Sequence, residues 1–142
     1  MSATGRPADA GTTLIEALVV VAITGLVALI GFPTIRAGLL TLAQRQTVAI
    51  VAARLRQVRA DALRSDRPVA FAVSPDGQHF GASGSPSAST PPGVALASAN
   101  GAGIAFFGDG SSTGGSILVL AGGHRLSVTV SPATGAVFVG GG

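Results

Sequence analysis

Few side chains in this sequence have the type and setting for chemistry. Glu16 is a lone carboxylate near the head of an apolar run: from Ala17 to Phe32 nothing is charged and only Thr24 is polar. An ionised carboxylate in hydrocarbon costs about 2.5–3.5 kcal/mol even on the lenient insertion scale, so it needs a partner or an exit to the headgroups. Ser112 sits in Gly110-Ser111-Ser112-Thr113-Gly114, which satisfies G-x-S-x-G. A nucleophile elbow needs a strand before the serine and a helix after it. Here a strand at Ile117 follows instead, and in a chain with 21 glycines the match reads as a hairpin loop. His79 and His124 lack companion ligands at metal-binding spacing. Asp109 before Gly110 lacks the acidic repeat of a calcium loop and reads as a turn residue. There is no cysteine, hence no thiolate site and no disulfide.

Arginines are the other reactive group. All nine basic residues are arginine, and Arg45, Arg54, Arg56, Arg59, Arg64 and Arg67 follow the apolar run. They could meet nucleic-acid phosphates. With neither Tyr nor Trp for base stacking, the better reading is a solvated face that meets acidic groups on neighbouring subunits. The candidate contact face is Arg45, Arg56 and Arg59, within about 60° of one another at about 100° per residue. Net charge is +3.

The elements that must position these groups follow from hydrophobic pattern. Leu14 to Ile35, as a helix, spans roughly 33 Å, about a bilayer core. Gly25, Gly31 and Pro33 are tolerated in a membrane helix, and Pro33 is a candidate kink. A cleavable secretory signal has its small residue after the apolar core. Here Gly11 precedes it, so a cut there leaves the apolar segment on the chain. Such a cut exposes an amine on Thr12, one helical turn from Glu16. Either Glu16 reaches the headgroups, or neighbouring subunits of a filament exchange this pair and so align in depth. Beyond Pro33, Val48, Val51, Leu55, Val58 and Ala62 form one apolar helical stripe. Asp66 and Pro68 end the helix.

From Pro68 the period becomes two. Val69–Val73 is a predicted strand, Pro75-Asp76-Gly77 a turn and Gln78–Gly81 a return strand. Residues 82–92 read as a flexible Ser/Ala/Pro loop. Further predicted strands cover 94–98, 104–107, 117–120, 125–130 and 136–139. Close spacing suggests antiparallel sheets, one face covered by the helix stripe. The expected class is α+β. Its parts are a leader over 1–11, a membrane-spanning half-helix over 12–35, an amphipathic half-helix over 36–66 and an antiparallel β domain over 67–142.

Residues 11–20, GTTLIEALVV, resemble the prepilin signal of type IV pilins and pseudopilins. The resemblance implies that a prepilin peptidase cuts between Gly11 and Thr12 and methylates the Thr12 amine. It implies that Glu16 serves assembly and that Pro33 marks the family's helix kink. The family's first mature residue is usually phenylalanine; here it is Thr12. The loop Phe107-Gly108-Asp109-Gly110-Ser111-Ser112 and the final Thr134-Gly135-Ala136-Val137 are similar to H-type minor pseudopilins of type II secretion. That implies a non-enzymatic subunit near the tip of a periplasmic filament, without cofactor. Its partners would be the peptidase, the major and other minor pseudopilins, and an inner-membrane assembly platform. It would cross the bacterial inner membrane once, with the C-terminal domain in the periplasm. Charge counting alone gives the opposite orientation, because Arg36 and Arg45 follow the span while the leader holds Arg6. The resemblance overrides the count by placing the leader in the cytoplasm. The related alternative is a type IV pilus minor pilin that aids pilus assembly or DNA uptake.

Overall fold

A computed structural model describes residues 13–32, 35–85, 87–99, 101 and 103–141. The expected processing site at Gly11 and Thr12 and the expected kink at Pro33 lie outside the described residues. Among the described residues one helix, α1 (Asp9–Ser65), is followed by eight strands. The chain divides into two compact units, Met1–Gly38 and Leu39–Gly142.

In the first unit the described residues are helical and almost all exposed, from Leu14 and Ile15 through Phe32 and Ile35. A helix that is apolar all round has no water-facing side, the pattern of a membrane span. It is the one helix among the described residues long and apolar enough to cross a bilayer.

In the second unit α1 buries Val48, Val51, Leu55, Val58 and Ala62, the stripe that the spacing predicts. Ala52 joins it, as do two polar residues, Gln44 and Thr47. The helix stops after Ser65 because Asp66 adopts a left-handed conformation at φ 50° and Pro68 cannot extend the helix.

The strands are β1 (Val69–Val73), β2 (His79–Ala82), β3 (Ala88–Ser89), β4 (Val94–Ser98), β5 (Ile104–Phe106), β6 (Gly115–Ala121), β7 (His124–Val130) and β8 (Val137–Gly141). They form two antiparallel sheets, ordered β3-β2-β1-β5 and β4-β6-β7-β8. The first sheet pairs Phe71 with Ala82 on one side and Ile104 on the other. The second is a meander extended by β4, with Val119 opposite Leu126 and Leu96. Alternate residues point inward, so Phe71, Phe80, Ile104 and Phe106 from one sheet and Leu96, Ile117, Val119, Val128 and Val130 from the other join the helix stripe in a single core.

Residues 82–92, expected to be wholly loop, contain β3, which pairs with β2 and is extended by a Thr90 N–H bond to the Gln78 carbonyl. A two-residue strand is too short to show a period, so no local pattern marks it. The sheets are joined at the Pro75-Asp76-Gly77 turn, where Leu96 N–H donates to the Gly77 carbonyl at 2.9 Å. Gly77 has φ 69°, and a Cβ there would lie 2.4 Å from the Leu96 carbonyl oxygen. Only glycine allows this turn to approach β4 so closely.

The same turn carries an acid-sensitive contact. The Asp76 carboxylate accepts from the Ser74 hydroxyl and, at 3.0 Å, from Gln78 N–H. Those two bonds, the hydroxyl's first, hold its pKa below the ordinary aspartate value. A depressed folded pKa adds stability that is present above the unfolded value, about 3.9, and disappears as pH falls through the folded value. Asp76→Asn is therefore expected to flatten the acid limb of the stability curve below about pH 4. Urea titrations of both proteins between pH 2 and 7 would check it; parallel acid limbs would contradict the assignment.

Candidate assembly interface

Within the first unit, Glu16 is exposed and is the only charged residue between Thr13 and Ile35. Thr24, the polar residue inside the apolar run, donates its hydroxyl to the Val20 carbonyl at 2.7 Å, so it needs no outside partner. At the far end the Arg36 guanidinium lies 5.1 Å from the Phe32 ring centroid. A cation stacked on an aromatic ring suits the boundary between hydrocarbon and water. The segment thus presents one apolar surface with one carboxylate set in it. In water each of these Leu, Ile, Val and Phe side chains forgoes about 1.5–3 kcal/mol of burial. The surface calls for lipid, other helices, or both.

In the second unit the arginines of the candidate contact face separate. Arg45 and Arg56 are exposed. Arg59 is half-buried, and its Nε has no hydrogen-bond partner among the described residues. Leu39, Leu42, Ile50 and Leu63 are exposed on the same stretch of α1.

Gln44, not singled out by sequence pattern, fastens α1 to the second sheet. It is buried, and its Nε2 donates to the Val119 carbonyl at 2.9 Å and the His124 carbonyl at 3.1 Å. Leu40, one turn earlier, packs against Gly93 and Gly122, each at a turn of that sheet. Gln44 lies four residues before Val48, so stripe spacing could have found it, but its polarity kept it off an apolar list.

Two of the other reactive candidates, Ser112 and Asp109, have structural roles. Ser112 is buried; its hydroxyl donates to the Ser131 carbonyl at 2.9 Å and accepts from Gly114 N–H at 3.1 Å. That serine closes a loop. Asp109 accepts from Ser111 N–H and its hydroxyl, which together hold its pKa below the ordinary value, the hydroxyl contributing most. His79 and His124 are exposed at the first positions of β2 and β7.

A long N-terminal helix, apolar and then amphipathic, followed by small antiparallel sheets, is a pilin-like architecture. The model of the family described as Type II transport protein GspH matches residues 47–134, and the chain belongs to that family. No curated protein sequence matches it. Among solved structures it is similar to the minor pseudopilin EpsH of the Vibrio cholerae type 2 secretion system: TM-score 0.57 and 12% identity, covering 68% of this chain and 95% of that one. It is also similar to the type IV minor pilin FimU of Pseudomonas aeruginosa PAO1: TM-score 0.55 and 16% identity, covering 67% and 90%. A second crystal form of FimU gives TM-score 0.54 at 14% identity, covering 73% and 90%. At these identities the structures establish a shared fold, and the family match adds the class: a minor pseudopilin, a structural subunit that assembles with other pseudopilins.

Proposed function

We propose that this minor pseudopilin is made with residues 1–11 as a cytoplasmic leader, which a prepilin peptidase removes between Gly11 and Thr12. The Thr12 amine is then methylated. Residues 12–35 hold the chain in the inner membrane, and residues 67–142 fold in the periplasm against the amphipathic half of the helix, residues 36–66. An inner-membrane platform then lifts the subunit into a short pseudopilus, near its tip, beside the major and other minor pseudopilins. Glu16 sets the depth at which each subunit docks by pairing with the N-terminal amine of a neighbour, and Pro33 lets the helix bend. Arg45 and Arg56 face acidic groups on adjacent subunits.

One observation carries this reading: an exposed apolar surface holding a single carboxylate, Glu16, on the same helix, α1, that supplies the core stripe of a GspH-family domain. The mature protein is expected to begin at Thr12, and deleting the gene is expected to stop protein export while leaving pilus-driven motility intact. A mature N-terminus at Met1 would exclude processing. Intact export with lost motility would favour the second reading, a type IV pilus minor pilin, which the likeness to FimU supports at the level of fold. Salt-sensitive DNA binding, lost on charge reversal of Arg56 and Arg59, would point the same way.

A further inference from the structure

We propose that Arg59 is a socket for a carboxylate supplied by a neighbouring pseudopilin of another kind, an inference that rests on the assembly reading above. Arg59 lies about 60° around α1 from Arg56 and tucks under two turns far from it in sequence. A Cβ at Gly135 would lie 3.0 Å from the Arg59 Nε and 3.2 Å from its Cδ. A Cβ at Gly110 would lie 3.8 Å from Nη2. Both glycines have positive φ, 62° and 86°, so both turns approach the guanidinium with bare backbone. The result is a guanidinium held by packing rather than by hydrogen bonds, with Nε buried and unpartnered.

Among the described residues none of the chain's own nearby acids pairs with Arg59. Asp61 pairs with Arg64. Asp109 binds Ser111. Asp66 packs on Gly108 at the helix end, and no ion pair among the described residues joins it to Arg59. Because Nε is enclosed, a partner from outside reaches Arg59 through its two Nη groups, and these are complemented best by an anion with a planar pair of acceptors, that is, a carboxylate taken two-pronged by the Nη pair. Exposed Leu63, whose Cδ2 would lie 3.5 Å from the same Gly110 Cβ, supplies an apolar neighbour that would strengthen the pair by excluding water. Two copies of a chain with net charge +3 repel one another, which favours a different subunit as the source of that acid. The occupant is therefore an acidic side chain on a different subunit of the filament.

The test uses the full-length chain, co-expressed with the other pseudopilins and recovered from membranes in mild detergent. Arg59→Met is expected to melt no lower than wild type, because it removes an unsatisfied buried donor. It should also co-purify pseudopilin at a level reduced about thirtyfold or more, the scale expected when one partner of a desolvated charge pair is lost. Arg59→Lys, which keeps the charge but not the fork, should recover part of that loss. Arg59→Glu should abolish recovery, and a lysine at one acidic position of the partner should restore it. Arg56→Met, at an exposed position on the same helix, should have a smaller effect. Undiminished partner recovery by Arg59→Met would overturn the proposal, as would a loss of partner that merely tracks a lowered melting temperature. Failure of the wild-type chain to recover any pseudopilin would overturn both this inference and the assembly reading beneath it.

Discussion

Glu16→Ala is expected to leave the chain in the membrane and to cut its entry into filaments by about a hundredfold. The two halves of that result have one cause. Glu16 stands among apolar side chains on every turn of its helix, with no other charge between Thr13 and Ile35. Removing the carboxylate makes the segment more apolar, so insertion becomes easier by about 2.5–3.5 kcal/mol. In the assembled state the same amount is at stake with the opposite sign, if a neighbour's amine neutralises the acid in hydrocarbon. At 1.4 kcal/mol per decade, it corresponds to roughly two orders of magnitude in docking. Glu16→Gln keeps a hydrogen-bonding group without the charge and should fall between the two. The measurement is the share of membrane-inserted protein that sediments with sheared filaments. If Glu16→Ala sediments as wild type does, the depth-setting role is wrong and the carboxylate only reaches the headgroups.

The helix was legible in the sequence because its information is local. The spacing of Val48, Val51, Leu55, Val58 and Ala62 sets one face without reference to anything distant, and those five are buried. Most strands could be read for the same reason, since alternation marks a strand wherever it pairs. The pairing itself could not be read. β1 takes its neighbours from β2 and from β5, while β4, between them in sequence, leaves for the other sheet. No period in Val94–Ser98 records that choice; it is fixed by inter-sheet contacts such as the Leu96–Gly77 bond. Arg59 shows the same limit within the candidate interface. Its place beside Arg45 and Arg56 follows from helical angle, but its burial comes from Gly110 and Gly135, which are brought over it by the sheets. Gln44 was hidden differently. It occupies a stripe position, and what makes it tolerable there is a pair of carbonyls on β6 and β7, 75 and 80 residues away.

Leu55→Ala is expected to lower the stability of the second unit by about 2–5 kcal/mol, the range for truncating a fully enclosed leucine. Leu55 has no exposed surface and sits mid-stripe among residues from both sheets. Against a domain stability of about 5–15 kcal/mol, that loss leaves a marginal fold. Leu42→Ala, on the same helix but 54% exposed, should change stability by about 0.5 kcal/mol or less. With neither Trp nor Tyr for fluorescence, the comparison is best made by pulse proteolysis in increasing urea, where Leu55→Ala should shift the midpoint down by about 1–2 M. Equal shifts for the two variants would mean that α1 does not present the assigned face to the sheets. The contrast also separates folding from assembly. Leu42 is silent in the isolated subunit, so any filament defect of Leu42→Ala must come from contacts with a neighbour. A defect of Leu55→Ala would instead be explained by loss of the domain that those neighbours hold.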